Sequence, residues 1–233
     1  MTTIYLVRHG QTDNNFKASF NGCRSNQPLN KMGIRQAATL TKEFANKPLD
    51  AIYASPLLRA LMTAEGVRGT RDMPIVTVPD LREMDMGLLD GVTFEETERD
   101  HAEIWHNWKK EPEKLRMPEG ESFTEVQDRA YAALLDILHR ERGRAVAVVA
   151  HGTLLSLLTA KLFGFSLADR RQVPYLFNAA YHELLFDDEG FFSPVQLRVI
   201  SHMTEEMFLS APTALKKDVL CGKYALPAAK ERK

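Results

Sequence analysis

Two short apolar segments of this chain end in the same way, because a histidine followed by a glycine comes after each of them. Residues 4–7 lead to His9 through a single arginine, and residues 145–150 are followed at once by His151. Runs of four to six β-prone residues that stop at a glycine predict buried strands. The carboxyl ends of parallel strands meet at one edge of a sheet, where open α/β folds bind ligands. The sequence therefore predicts two strands of one parallel sheet whose terminal histidines lie side by side.

Strand-like and helix-like segments alternate through the rest of the chain, which is typical of crossover units on a mostly parallel sheet. Strand-like runs occupy residues 4–7, 51–54, 75–78, 145–150, 182–186 and 195–200. Helical patterns occupy residues 32–44, 57–67 and 154–162. Asn30 and Ser55 are predicted to cap the first two helices. We expect a three-layer α/β fold with helices on both sides of the central sheet.

The middle of the chain has a different pattern, with helical periodicity and no strand from about residue 93 to 142. A capping box begins at Ser122 and precedes an apolar stripe, which predicts a long helix. We interpret this segment as a helical insertion near the active edge of a single domain over residues 1–233. Its Trp105 and Trp108 either pack in the core or form part of a roof over that edge.

Composition restricts the classes of partner. The formal net charge of −1 argues against nucleic acid or an anionic membrane. No apolar stretch approaches the roughly 20 residues of a membrane span, and no signal-like segment opens the sequence, so we expect a cytoplasmic protein. Cys23 and Cys221 are expected to be reduced thiols. No metal-ligand spacing is present, and we predict neither a metal nor another cofactor.

The C-terminal tail, residues 204–233, gives a less specific signal. Its apolar residues Met207, Phe208 and Leu209, with Met203 just before them, pack either on the domain or on a partner subunit. The oligomeric state is therefore open, with a homodimer as one option.

The candidate chemistry is concentrated at the predicted strand ends. Arg8 supplies a fixed positive charge beside the nitrogen nucleophile of His9, a pairing that suits a phosphate ester. Arg59 lies near the start of a helix behind a strand, where backbone N–H groups add to its charge. A loop after residues 75–78 carries Glu83 and Asp85, and either carboxyl group is a candidate proton donor.

Several motifs occur in the order found in a known family, and together they resemble the histidine phosphatase superfamily in its phosphoglycerate-mutase-like branch. The resemblance covers residues 4 to about 200. The segments that carry it are Leu6-Val7-Arg8-His9-Gly10-Gln11-Thr12, Ser55-Pro56-Leu57-x-Arg59-Ala60, Glu83-x-x-x-Gly87-x-x-x-Gly91, Pro118-x-Gly120-Glu121-Ser122 and Val149-Ala150-His151-Gly152.

The resemblance implies a role for each of these residues. His9 would become a phosphohistidine, and Glu83 rather than Asp85 would be the general acid. The groups implied to bind the transferring phosphoryl group belong to Arg8, Asn15, Arg59, His151 and Gly152, with His151 protonated. The activity implied is metal-independent hydrolysis of a small phosphomonoester.

Two other functions stay open at this stage. A cofactor-dependent phosphoglycerate mutase shares the same core, but such mutases usually carry a Tyr-Tyr-Gly segment after the acid. Residues 86–91 of this chain contain no tyrosine, which favours a phosphatase similar to the small broad-specificity and alpha-ribazole-phosphate enzymes. A catalytically silent phosphate-binding module is the other alternative, and the presence of both His9 and Glu83 argues against it.

Overall fold

A six-stranded mixed sheet forms the centre of the computed structural model, which describes residues 1–209. The strands are β1 (Thr2–Arg8), β2 (Ala51–Ala54), β3 (Ile75–Thr77), β4 (Ala145–Ala150), β5 (Tyr181–Phe186) and β6 (Phe192–Val199). Their spatial order is β3-β2-β4-β1-β5-β6. The first four in that order are parallel, and β5 and β6 are antiparallel to their neighbours. The predicted, mostly parallel α/β architecture is confirmed.

Eight α-helices accompany the sheet within residues 1–209. They are α1 (Asp13–Phe16), α2 (Lys31–Phe44), α3 (Leu58–Arg68), α4 (Phe94–Asp100), α5 (Ala102–Lys109), α6 (Phe123–Arg140), α7 (Gly152–Leu162) and α8 (Glu205–Leu209). The pairs α2–α3 and α6–α7 each pack together and flank the sheet. The central strands β1 and β4 are almost wholly buried, as expected for parallel strands covered on both faces.

The sequence predicts helix caps at Asn30, Ser55 and Ser122, and the structure confirms those at Asn30 and Ser122. The Asn30 side chain accepts a hydrogen bond from the Gly33 N–H at 2.9 Å, and Ser122 opens the predicted capping box of α6. The predicted Ser55 cap of α3 is wrong. Helix α3 begins at Leu58 without a side-chain cap. The Ser55 hydroxyl accepts a hydrogen bond from the Leu57 N–H at 3.3 Å, before the helix begins, and lies 2.7 Å from the His151 Nε2 atom.

The helical insertion is present where the sequence predicts it. Residues 93–142, all of which the structure describes, form α4, α5 and α6 and no strand. The Trp108 ring packs edge-on against Phe20 and Phe123, with ring centroids 4.9 Å apart in both contacts. The contact with Phe20 holds the insertion against the loop that follows α1.

The described part of the C-terminal tail packs on the same core. Met203 and Met207 are buried in it, so these two side chains contact the domain. Cys221 and the predicted packing of the Phe208 and Leu209 side chains lie outside the described residues, and Cys23 is a free, half-buried thiol. No helix within residues 1–209 combines the length and apolarity needed to cross a bilayer.

Candidate active site

The two predicted strand-end histidines lie side by side. Strands β1 and β4 pair in parallel with Arg8 opposite Ala150, so His9 and His151 follow at the same level. Their ring centroids are 5.1 Å apart, and both side chains are buried. The Nδ1 atom of His9 lies 2.6 Å from the Gly10 carbonyl oxygen. Because a carbonyl only accepts, Nδ1 carries the hydrogen and Nε2 carries the lone pair.

Arg59 is fully buried and holds the loop that follows α1. Its Nη1 atom donates to the Ser25 carbonyl at 2.7 Å, and Nη2 donates to the carbonyls of Asn21 and Gly22 at 3.1 and 3.0 Å. Burial lowers the pKa of Arg59 to about 10, with nearby carboxylates opposing the shift. The guanidinium group therefore stays charged at neutral pH.

Three buried nitrogen atoms at this site have no hydrogen-bond partner among the described residues. They are the Nε atoms of Arg8 and Arg59 and the Nδ1 atom of His151. Buried polar groups are normally satisfied, so three unpaired nitrogens from three converging residues indicate a polar ligand. Two of these nitrogens belong to guanidinium groups, which favours an anion with several oxygen atoms.

Glu83 lies at the N-terminus of α7, and its side chain is 5% exposed. Its Oε1 atom accepts hydrogen bonds from the Met84 and Leu154 N–H groups at 2.8 and 3.1 Å, and Oε2 accepts one from Thr153 at 3.0 Å. Asp85 instead pairs with Arg24 at 2.7 Å. The structure thus brings Glu83, and not Asp85, to the histidines.

One pocket joins these groups to the outside of the protein. Its lining residues are Arg8, His9, Asn15, Ser19, Phe20, Asn21, Glu83, Met86, Phe94, Trp108, Thr153 and Tyr175. Arg59 and His151 are fully buried and are not among these lining residues. The Asn15 side-chain oxygen is engaged by Thr12 and Asn178, which leaves its amide nitrogen as the end available to a ligand.

Sequence reasoning missed several lining residues, above all Tyr175. The Arg8 guanidinium carbon lies 5.1 Å from the centre of the Tyr175 ring. Tyr175 comes from a loop with no local motif, so no sequence signal could have identified it. Phe94 and Trp108 come from the helical insertion, so the insertion contributes to the lining of this pocket. Both Trp105 and Trp108 also pack against the core, and Trp105 is not a lining residue.

Gly152, the first residue of α7, lies close to Arg8 and Tyr175. A Cβ atom at Gly152 would lie 2.3 Å from the Tyr175 hydroxyl and 3.1 Å from Arg8 Nε. We expect Gly152→Ala to displace one of these groups and to lower kcat/KM by about 10²-fold. Steady-state kinetics would measure the loss, and an unchanged melting temperature would separate it from unfolding. Activity equal to the wild type would contradict the close approach.

Both active-site histidines are electrostatically disfavoured as cations. Burial, and then the charge of Arg59, hold the pKa values of His9 and His151 well below the usual range. A neutral His9 is the form that can act as a nucleophile. Burial likewise favours the neutral form of His151, and the protonated His151 that is expected with a bound phosphoryl group stays a prediction. An anion bound beside Arg59 would oppose the effect of the Arg59 charge on His151 and would favour protonation of His151.

Buried histidines predict a loss of stability in acid. Burial lowers the pKa of His182 to about 3, and His9 and His151 are shifted in the same direction. Above about pH 6.5 these imidazoles are neutral in both folded and unfolded chains and contribute no pH dependence. Below it, only the unfolded chain gains protons. We expect each histidine to lower the free energy of unfolding by about 1.4 kcal/mol per pH unit until its folded-state pKa is reached.

Urea unfolding at several pH values would measure this slope. The variant His182→Asn should reduce the slope between pH 6 and 4 relative to the wild type. The same slope in both proteins would show that His182 is not neutral when folded.

The described residues contain no group of three or more histidine, cysteine, aspartate or glutamate side chains placed to hold a metal ion.

Comparisons with known proteins agree with this geometry. The sequence profile of the Histidine phosphatase superfamily (branch 1) matches residues 4–196. A Hydrogenobacter thermophilus protein provisionally named phosphoserine phosphatase 2 is 32% identical over 189 residues, covering 81% of this chain and 92% of that protein. A Yersinia pestis protein named probable phosphoglycerate mutase GpmB is 35% identical over 176 residues, covering 73% of this chain and 80% of that protein.

Solved structures extend the similarity to the fold. The structure of Bacillus stearothermophilus YhfR matches with a TM-score of 0.82 and 33% sequence identity, over 87% of this chain and 99% of that one.

Proposed function

Because the chain is an enzyme that belongs to the histidine phosphatase superfamily, we propose that it hydrolyses phosphomonoesters through a phosphohistidine formed on His9. The observation that carries the proposal is the set of unpartnered nitrogens of Arg8, Arg59 and His151 around a neutral imidazole. Such donors stabilise the charge that builds up on a transferring phosphoryl group.

The first step is phosphoryl transfer to the enzyme. The lone pair on His9 Nε2 attacks phosphorus and forms a P–N bond, while the bond between phosphorus and the alcohol oxygen breaks. The electron pair of that bond goes to the departing oxygen, which takes a proton from the Glu83 carboxyl group. Arg8 and Arg59 hold the phosphoryl oxygens during the transfer.

The second step is hydrolysis of the phosphoenzyme. A water molecule attacks phosphorus and gives a proton to the Glu83 carboxylate. The P–N bond breaks, its electron pair returns to His9 Nε2, and inorganic phosphate leaves. The first step takes a proton from the Glu83 carboxyl group and the second step returns one to it, which agrees with the position of Glu83 beside the histidines.

The charge of the pocket favours hydrolysis over mutase activity. Arg8 is the one lysine or arginine that lines the described pocket. A mutase must also hold a bisphosphate, whose second phosphate needs further cations. Arg82 pairs with Glu121 at 3.2 Å, and the Lys109 ammonium lies 4.1 Å from the centre of the Trp105 ring. Neither of these cations lines the pocket.

The apolar part of the pocket lining favours a leaving group without charge. Phe20, Met86, Phe94 and Trp108 form this part. Apolar and aromatic side chains gain free energy by covering apolar surface of a bound alcohol. The Phe163 ring packs 5.0 Å from the Phe192 ring and is not part of the lining, so this second aromatic group has no role in the proposal.

A substrate panel tests the proposal. The purified protein, treated with a chelator, would be incubated with p-nitrophenyl phosphate, aryl and alkyl phosphates, and 3-phosphoglycerate with and without 2,3-bisphosphoglycerate. We expect phosphate release that needs neither metal nor bisphosphate and is fastest with aryl phosphates. Conversion of 3-phosphoglycerate to 2-phosphoglycerate that requires the bisphosphate would establish a mutase instead.

A further inference from the structure

The loop that carries Glu83 is held by two side chains that the reaction scheme leaves without a role. One is Glu121, in the Pro118-x-Gly120-Glu121-Ser122 segment, and the other is Arg129, on α6. We propose that Arg129 and Glu121 are positioning residues that fix Glu83 for proton transfer. This inference rests on the proposed role of Glu83 as general acid and base.

Arg129 holds the loop through its backbone carbonyl groups. Its Nη1 atom donates to the carbonyls of Asp80 and Arg82 at 2.7 and 2.8 Å, and Nη2 donates to the carbonyl of Glu83 itself at 3.2 Å. The remaining donors bind the Glu121 carboxylate, Nε at 2.8 Å and Nη2 at 2.9 Å. All five N–H donors of the guanidinium group are therefore engaged.

Glu121 holds the loop on the other side of Glu83. Its Oε2 atom accepts a hydrogen bond from the Asp85 N–H at 2.8 Å, and its own N–H donates to the Asp85 carbonyl at 3.0 Å. The Arg129 and Glu121 side chains are only 11% and 15% exposed. A shielded bidentate pair of this kind has a well-defined geometry.

The position of the Glu83 carboxyl group is thus set from both ends. The N-terminus of α7 binds its carboxylate, and Arg129 binds its backbone carbonyl. Proton transfer requires the donor within hydrogen-bond reach of the departing oxygen, and a misplacement of 1 Å can cost about 10²-fold in rate. Arg129 lies on the helical insertion, so this contact also links the insertion to the catalytic loop.

Two substrates whose leaving groups differ in their need for a proton can distinguish two roles for Arg129 and Glu121. A role in positioning Glu83 affects mainly the substrate whose leaving group needs a proton, whereas a role in stabilising the whole site affects both substrates equally. The departure of p-nitrophenolate needs little help from a general acid, whereas an alkoxide needs a proton. We expect Arg129→Gln to lower kcat/KM for an alkyl phosphate by about 10²-fold and kcat/KM for p-nitrophenyl phosphate by less than about 10-fold. The comparison uses kcat/KM because it reports the transfer of the phosphoryl group to His9, whereas hydrolysis of the phosphoenzyme is the same step for both substrates. Glu121→Gln and Arg129→Lys should show the same selectivity with smaller losses, because each keeps part of the hydrogen-bond set.

The matched control is Arg140→Gln on the same helix, since Arg140 forms an exposed pair with Asp136 far from the loop contacts. It should leave both rates unchanged. Equal losses on the two phosphates, or no loss, would overturn the inference. If Arg129→Gln does not fold, Arg129→Lys and Glu121→Gln decide by the same criterion.

The variant Glu83→Gln separates this inference from the proposed function. A selective loss in Glu83→Gln without one in the Arg129 and Glu121 variants would overturn the positioning role alone. No selectivity in Glu83→Gln would overturn the acid/base role of Glu83, and the positioning role with it.

Discussion

Replacing His9 with alanine is expected to lower kcat for phosphomonoester hydrolysis by about 10⁴-fold or more. His9 Nε2 is the nitrogen with an available lone pair, because Nδ1 carries the hydrogen that faces the Gly10 carbonyl. The neighbouring His151 cannot replace it readily, since its Nε2 atom is engaged by Ser55 at 2.7 Å. Initial rates with p-nitrophenyl phosphate would measure the loss.

The control for this variant is His139→Ala, which removes an exposed imidazole from α6 and should leave kcat unchanged. The melting temperatures of both variants show whether the fold is retained. A folded His9→Ala protein with more than about a tenth of the wild-type rate would rule out His9 as the nucleophile.

Replacing Arg59 with methionine has the second large expected effect, a fall in kcat/KM of about 10³-fold. The substitution removes a buried guanidinium group that presents an unpartnered Nε atom beside the histidines. It also removes the charge that contributes, after burial, to the lowered pKa values of His9 and His151. Both pKa values should therefore rise toward the ordinary value, and the His9 nucleophile should protonate at a higher pH than in the wild type.

Steady-state kinetics and an NMR titration of the histidine ring protons would measure these two effects. Arg68→Gln is the matched control, because Arg68 lies on the same helix and pairs at the surface with Glu65. Unchanged histidine titration in a folded Arg59→Met protein would contradict the electrostatic coupling. An unchanged kcat/KM would remove Arg59 from phosphoryl binding.

Features carried by local pattern were predictable from the sequence. The parallel strands β1 and β4, the Asn30 cap and the capping box at Ser122 all depend on residues within a few positions of each other. The approach of His9 to His151 was also predictable, because parallel strands that end alike bring their ends to one edge.

Features that depend on distant contacts were not predictable in this way. Ser55 was expected to cap α3, but it meets His151, which lies 96 positions away in the chain. Tyr175 reaches Arg8 and Gly152 from a loop without a motif. The neutral state of His151 depends on burial among side chains from several segments, and composition carries no information on that burial.

The contacts of Arg129 show the same limit. From the sequence alone, an arginine in a helix is expected at the surface. The Arg129 guanidinium group instead donates to three backbone carbonyls that lie 46 to 49 positions earlier in the chain. Only the packing of the helical insertion against the Glu83 loop reveals this contact.

Trapping the covalent intermediate tests the central claim most directly. The protein would be mixed with a ³²P-labelled phosphomonoester, quenched in alkali within milliseconds, and digested for mass spectrometry. The account predicts a phosphoryl group on His9, stable in alkali and lost in acid as expected of a P–N bond, and none in His9→Ala. An acid-stable phosphoryl group on Ser55, or turnover with no covalent intermediate under conditions that trap a known phosphohistidine, would contradict it.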